Sequence, residues 1–410
     1  MGGTAKKIVD AAGSGKEATL MFRHRPSARN KADDRGTPAT PSARARDSKL
    51  ALVKKPSGKT SSPVTSNKGG NGSGDGSGGG RFITDIDAAA KDLTALFTRK
   101  AAGHLIQYMY MTPQALASWS EFMLHPEYAY VTREKSLITQ VAKQDIFPEV
   151  QYSGRLVGIE NGPGTDSAMQ KKSGPFWSGI GDVGTLVARD QSATVVLNAP
   201  EVLHRRLPNT LIVPNKVDFL KASLPKGLPE GRRVMAEFGI TRGNMQGFAD
   251  DNFPVKLFKR DLKTHFKLLN PGDLYTFTFD ANQTDVDKVY DSPHLTEWGR
   301  EMFRVMKEEL PIEGDFDPNG FVFVPRWHAE PHHVNTNNMV ATRSMEFAIA
   351  GEAIRVEKGD EFAITNSYKM PLEMFEGIAE ELKDEEGIEL LTAARQDRQR
   401  KMTMPVLIQR

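Results

Sequence analysis

The run Leu156-Val-Gly-Ile-Glu-Asn-Gly-Pro-Gly-Thr165 constrains this chain more than any other. Its first half is apolar and ends at Glu160. Gly162 and Gly164 follow, one residue apart, and Thr165-Asp166-Ser167 then reads as a helix start. Strand, glycine turn and helix N-terminus together bring a nucleotide-like ligand against bare backbone. A Cβ would block that approach and disfavour the positive φ of the turn. Three readings stay open on these residues. A dinucleotide pyrophosphate calls for a third glycine where the chain has Ser167. The acid at the strand end, Glu160, suits S-adenosylmethionine (SAM), because its carboxylate can meet the cationic methionine end. A glycine turn with a purely structural role accounts for the same pattern.

The surrounding periodicities place this run in an α/β frame. Helices are predicted over Ile83–Arg99, Pro113–Leu124, Thr132–Ala142 and Phe253–Leu269. Strands are predicted at Arg155–Ile159, Thr185–Arg189, Thr210–Val213, Arg233–Phe238 and Leu274–Phe279. Alternation of this kind specifies a parallel, doubly wound sheet whose ligands sit at the carboxyl ends of the strands. Glu160, Asp190, Asp218 and Gly239 all fall at or just past such ends, so one crevice can collect them. After a helix over Leu295–Leu310 the pattern turns β-rich, from Phe321 to Tyr368. A helix at Leu372–Leu382 and a strand pair at Ile388–Ala393 and Met402–Ile408 close the chain. This is expected to be an antiparallel α+β lobe over the crevice. The expected division is a tail over 1–80, a nucleotide-type domain over 81–295 and a second lobe over 296–410.

Charge separates the tail from the rest. Residues 1–80 carry 15 Lys+Arg against 6 Asp+Glu, and the remaining residues carry 39 against 46. The tail is basic, rich in Gly, Ser and Pro, and ends in a Gly/Ser run from Gly69 to Gly80, the composition of a disordered segment and flexible linker. Its charge suits contact with RNA or an acidic membrane surface, and equally a solvated tail. The acidic remainder argues against a nucleic-acid-binding core. Gly58-Lys59-Thr60 lacks the first glycine of a phosphate loop, having Val53 there. The chain has no cysteine, which excludes disulfides and thiolate chemistry and suits a cytoplasmic location. No apolar run is long enough to span a membrane. His328, His332 and His333 have Pro331 among them and read as a polar strand edge, so no metal is expected.

Several short motifs recur in a fixed order. They are Tyr110; Pro126-Glu-Tyr128 followed by Thr132-Arg-Glu134; Glu160-Asn-Gly162-Pro-Gly164; and Asp190-Gln-Ser192. Asp218-Phe219, Phe238-Gly239-Ile-Thr-Arg-Gly243-Asn244, Tyr290-Asp291 and Asn366-Ser367-Tyr-Lys369 complete the series. In order and spacing they resemble the SAM-dependent histidine α-N-methyltransferases of ergothioneine biosynthesis, whose relatives include fungal N-methyltransferases of tryptophan derivatives. The resemblance covers roughly residues 105–410 and leaves out the tail. It implies a Rossmann-like SAM-dependent methyltransferase domain with a second, antiparallel β-rich substrate lobe, acting as a monomer on a small amino-acid-like molecule.

By that resemblance, Glu160, Gly162 and Gly164 hold the methionine end of SAM, Asp190 its ribose, and Asp218 and Phe219 its adenine, with Gly239 a further cofactor-binding residue. The chemistry fits: a carboxylate accepts from ribose hydroxyls or an adenine amine, and an aromatic ring covers a flat base. Tyr128, Asn244 and Tyr290 match the residues that grip the carboxylate and α-amino group of the substrate, and Tyr110 stands beside the amine. Asn244 and Tyr110 are the residues expected nearest the chemistry. The departures concern the side-chain pocket. The family holds an imidazole with a Glu and a Ser; here the Ser is kept as Ser367, but Thr365 replaces the Glu. Thr336 replaces a methionine of the same pocket, and Ala168 a lysine of the glycine-loop helix. The frame for an α-amino acid is kept while its side-chain pocket is changed. A SAM-binding relative that works by partner binding, or a methyltransferase for a larger substrate, are the alternatives.

Overall fold

The computed structural model describes residues 81–99, 105–124, 128, 130–143, 155–221, 223–244, 253–284 and 286–410. The basic tail and Pro126-Glu127 lie outside the described residues.

Three helices come first: α1 (Ile86–Phe97), α2 (Pro113–Met123) and α3 (Tyr130–Ala142). Asp85 starts α1 by accepting the Ala88 N–H, and Thr112 starts α2 by accepting that of Ala115. Five parallel strands then build the centre of the molecule: β1 (Leu156–Asn161), β2 (Val183–Asp190), β3 (Leu211–Lys216), β4 (Arg233–Glu237) and β5 (Leu274–Phe277). The helix after β1, α4, has an α turn at Asp166–Ala168, a π turn at Met169–Ser173 and a final α segment at Gly174–Gly179. The helices α5 (Ala193–His204) and α6 (Val255–Phe266) follow β2 and β4. Along the sheet the parallel strands lie in the order 3-2-1-4-5. The order reverses between β1 and β4, which is where such sheets open a crevice.

A large insertion separates β5 from the strands that finish this sheet. It runs through β6 (Phe279–Asp280), α7 (Val286–Tyr290), α8 (Pro293–Glu309) and β7 (Ile312–Gly314). It continues with β8 (Phe321–His328), β9 (Val334–Ala341), β10 (Met345–Ile349), β11 (Glu352–Val356), β12 (Glu361–Tyr368) and α9 (Leu372–Glu386). Strands β12, β9 and β8 form one antiparallel sheet and β11, β10 and β7 another. The chain ends in β13 (Ile388–Leu390), β14 (Arg395–Gln396), β15 (Met402–Met404) and β16 (Val406–Gln409).

Two expectations are corrected here. The last strand pair does not close the second lobe: β16 pairs antiparallel with β5, and β13 pairs with β16, giving the sheet order 13-16-5-4-1-2-3. A short apolar run such as Val406-Leu-Ile408 reads alike in a lobe edge and in a sheet interior, so the pattern alone cannot assign it. The first helix is not confined to the nucleotide-type half either. Phe97 of α1 lies 4.8 Å from Phe362 and 5.2 Å from Phe347, centroid to centroid, within the core of the antiparallel sheets.

Candidate functional site

A cavity of about 1100 Å³ opens at the carboxyl ends of β1, β2, β3 and β4 and extends to β12. Gly162, Gly164, Asp190, Asp218, Phe219, Gly239, Tyr110, Tyr128, Asn244, Tyr290, Thr365 and Ser367 all line it. Glu160 and Thr336 do not.

The nucleotide end is built by loops. Gly162 and Gly164 adopt φ of 65° and 76°, which a side chain would strain. A Cβ on Gly162 would stand 3.9 Å from both the Phe219 ring and the Thr241 hydroxyl, filling the gap between three strand ends. Asp190 ends β2, with one carboxylate oxygen accepting the Ser192 N–H at 2.8 Å. Ser192, not Asp190, is the cap of α5. Burial pushes the Asp190 carboxyl up to about 6, against the pull of the Ser192 and Gln191 N–H groups. Asp218 accepts the Leu220 N–H at 3.1 Å and meets Lys221 at 2.9 Å. This donor set fits an adenosine ligand: a bare glycine cradle, a carboxylate for a ribose and a carboxylate beside a half-buried ring.

Glu160 is placed otherwise than expected. It is fully buried, and its carboxylate turns under the sheet to accept from the Ser173 hydroxyl at 2.5 Å and the Trp177 indole N–H at 2.7 Å. Burial pushes it up to about 7, although both donors work against that. Its side chain therefore braces α4 against β1. Charge on this cavity wall comes from the pair Lys172 and Glu134, whose ammonium and carboxylate lie 3.1 Å apart. Glu134 also accepts from the Gly239 N–H and the Thr278 hydroxyl. Long helical side chains lean toward the helix N-terminus, and Lys172 has its ammonium 3.3 Å from where a Cβ on Gly239 would lie. It stands four residues past Ala168, one turn along the same helix, and that spacing was the available signal for it.

The far end of the cavity is aromatic above and polar below. Trp119 and Trp298 lie 4.8 Å apart, and Tyr110 approaches them at 5.5 and 5.4 Å. Tyr128 packs on Phe122 at 4.3 Å and on Tyr290 at 6.0 Å. Burial raises the hydroxyls of Tyr110 and Tyr128 above their ordinary value, so both remain protonated. Asn244 ends a short 3-10 turn at Thr241–Gly243 that is anchored by Arg242 on Glu237 at 2.8 Å. A Cβ on Gly243 would meet the Tyr368 carbonyl at 2.6 Å, so glycine is what lets this loop touch β12.

Strands β12 and β9 make the floor. Thr365 lies opposite Asn337 and Ser367 opposite Asn335. Asn337, which sequence reasoning missed, lines the cavity. Thr336 faces the other way: its hydroxyl lies 3.0 Å from the Asn338 amide and 3.3 Å from His328. Neighbouring strand residues alternate faces, and the register is displaced by an irregularity between Ala363 and Thr365. Beneath the floor Lys369 is fully buried, with its ammonium 2.7 Å from Asp280, 2.8 Å from Ser367 and 3.0 Å from Tyr290. Burial opposes its charge, but Asp280 and Tyr290 outweigh this and raise it above the ordinary value.

Of the histidines, His333 bonds to Gln283 at 2.7 Å. Among the described residues no three His, Asp or Glu side chains are grouped to hold a metal ion, and no helix is long and apolar enough to cross a membrane.

Comparison with known proteins gives this cavity its context. The chain is 25% identical to the uncharacterized protein y4iF of Sinorhizobium fredii over 218 residues, covering 51% of this chain and 68% of the relative. Among solved structures it is similar to a SAM-dependent methyltransferase from Clostridium acetobutylicum, at 9% identity and a TM-score of 0.37 over 68% of this chain and 95% of the other. It is also similar to the CcbJ methyltransferase from Streptomyces caelestis, at 12% identity and a TM-score of 0.36 over 66% and 96%. The family model described as histidine-specific methyltransferase, SAM-dependent, matches residues 91–399, a span that includes every residue named in the cavity wall above. With that match over most of its length, the chain belongs to the histidine-specific, SAM-dependent methyltransferase family.

Proposed function

We propose that this SAM-dependent methyltransferase methylates the α-amino nitrogen of an amino acid or amino-acid derivative, and that its side-chain pocket takes a neutral group other than imidazole. One observation carries the reading: Tyr128, Asn244 and Tyr290, the positions matching an amino-acid clamp, line the same cavity as the glycine loop and Asp190. Thr365 and Ser367 supply hydroxyls where the family holds its ring with a carboxylate and a hydroxyl. A charge-assisted hydrogen bond is roughly twice as strong as a neutral one, so an imidazole N–H loses its best partner here.

SAM supplies a methyl group already activated by its sulfonium. Asp190 would accept from the ribose, Asp218 and Phe219 would meet the adenine, and Lys172 would meet the methionine carboxylate. The acceptor side rests on this chain's own groups. Tyr290 donates to the substrate carboxylate, and the Asn244 amide can grip carboxylate and amine together. An α-amino group loses its proton near pH 8, and the apolar walls around Tyr110 favour the neutral form further. Tyr110, held protonated, offers an oxygen to the amine rather than acting as a phenolate base. The proton released on methylation leaves with water through the cavity mouth. Holding the nitrogen in line can supply about 7–11 kcal/mol of the barrier.

The test is a SAM-consumption screen against free amino acids and simple derivatives, with mass spectrometry of the products. The expected result is a gain of one to three methyl groups on one neutral amino acid, lost in Asn244→Ala while binding of the demethylated cofactor persists. Full activity in Asn244→Ala, or histidine as the best substrate, overturns the reading.

A further inference from the structure

We infer that Glu134 binds the α-ammonium of the cofactor's methionine end, and that with Lys172 it forms a charge pair matched to that zwitterion. The inference concerns the cofactor alone, so it stands whichever acceptor is methylated. It starts from Glu160, the acid expected to meet this ammonium. Its carboxylate is turned under the sheet and spent on Ser173 and Trp177. The ammonium then needs another carboxylate on the wall beside the glycine loop.

Glu134 stands there. It lines the cavity, and it accepts the N–H of Gly239. A Cβ on Gly162 and a Cβ on Gly239 would each lie 3.9 Å from the Thr241 hydroxyl, so the two glycines flank one group. The ion pair lies on the Gly239 side of it, with the Lys172 ammonium 3.3 Å from the Gly239 Cβ position. Both glycines have positive φ, 65° and 81°, and leave bare backbone next to the pair. Glu134 is held in place by groups from three parts of the chain: Lys172 of α4, Gly239 after β4, and Thr278 between β5 and β6. Its position is thus set before any ligand arrives, which lowers the cost of binding.

The pair also has capacity left. A carboxylate offers about four lone-pair sites. One Glu134 oxygen accepts from Gly239 and Thr278, and the other meets Lys172, so this second oxygen can take one more donor. The Lys172 ammonium can likewise donate to more than Glu134. Glu134 is 2% exposed and Lys172 6%, so a ligand meets them largely stripped of water. An α-amino acid carries its ammonium and carboxylate on one carbon. Laid against the pair in opposite order, each charge meets its opposite and the buried site stays neutral. A ligand with one charge alone leaves the site with a net charge, which is costly where water is excluded.

Calorimetry on the full chain tests this with four adenosine thioethers. S-Adenosylhomocysteine carries both charges, the 3-carboxypropyl compound lacks the ammonium, the 3-aminopropyl compound lacks the carboxylate, and methylthioadenosine lacks both. The wild type should prefer S-adenosylhomocysteine to the carboxypropyl compound by about tenfold or more. Glu134→Gln should weaken S-adenosylhomocysteine and the aminopropyl compound by about tenfold or more, without weakening the carboxypropyl compound or methylthioadenosine by more than about threefold. Glu134→Gln strands the Lys172 charge, so the double variant Glu134→Gln/Lys172→Met, which removes both charges, guards against a folding defect. It should bind methylthioadenosine as the wild type does and lose the preference for S-adenosylhomocysteine over it. Equal losses for S-adenosylhomocysteine and the carboxypropyl compound in Glu134→Gln overturn the inference and leave Glu134 a brace for the Gly239 loop. So does a double variant that keeps the full preference, and so does a wild type that binds the carboxypropyl compound as tightly as S-adenosylhomocysteine.

Discussion

Glu160 shows how a residue can keep its place in a motif and change its use. Its carboxyl is buried beneath β1, and its folded value of about 7 lies above the ordinary 4.5. The folded protein therefore holds a proton that the unfolded chain has lost between about pH 4.5 and 7. Stability from this group is full below that window and falls as pH rises through it, by about 3 kcal/mol at neutral pH. Glu160→Gln should flatten that fall and leave binding of S-adenosylhomocysteine within about threefold, since the side chain does not reach the cavity. Urea unfolding at pH 5 and pH 7.5 checks the first part and calorimetry the second. Lys172 carries the opposite expectation. Lys172→Gln should weaken S-adenosylhomocysteine by roughly tenfold or more, as expected for a buried charge pair that loses one partner, yet barely change methylthioadenosine, which lacks the carboxylate. Equal losses for the two ligands would reduce Lys172 to a partner of Glu134.

At the scale of elements, the end of β12 ties parts of the insertion to one another. Lys369, just past its end, meets Asp280 of β6, Tyr290 of α7 and Ser367 of its own strand. Removing one partner of a buried pair leaves the other uncompensated, which costs about 3–5 kcal/mol. Lys369→Met should lower stability by that amount in chemical unfolding, and Asp280→Asn added to it should restore a good part, because the stranded charge is then gone. The glycine motif and the aspartates at strand ends were legible in the sequence because their chemistry needs fixed spacings on the backbone. The floor was less so. Whether Thr336 or Asn337 faces the cavity depends on the register of β9 against β12, and the irregularity near Ala363 shifts that register. Trp119 and Trp298 come from helices far apart in the chain, and nothing local marks them as neighbours.

For the whole molecule, the described site residues all lie within the unit Gly76–Arg410. An enzyme that recognises a small substrate in this cavity needs nothing further, so removing residues 1–75 should change kcat/KM by no more than about threefold. A large loss would move the reading toward a macromolecular substrate held by the basic tail. The alternation of strands and helices gave the parallel half of the sheet from periodicity alone. The insertion was hidden because the strands that follow it look like the end of a lobe.

Those last strands also set an order of events during synthesis. Strand β16 lies between β13 and β5, so the sheet beneath the cavity lacks its sixth and seventh members until residues 388–409 have been made. Residues 278–405 must be translated after β5 before its partner arrives, and pairing across so long a separation is slow. The growing chain thus emerges with its cofactor-binding half open along one edge and its substrate floor made first. A chain released before residue 406 would carry every residue of the site and no completed sheet to hold them.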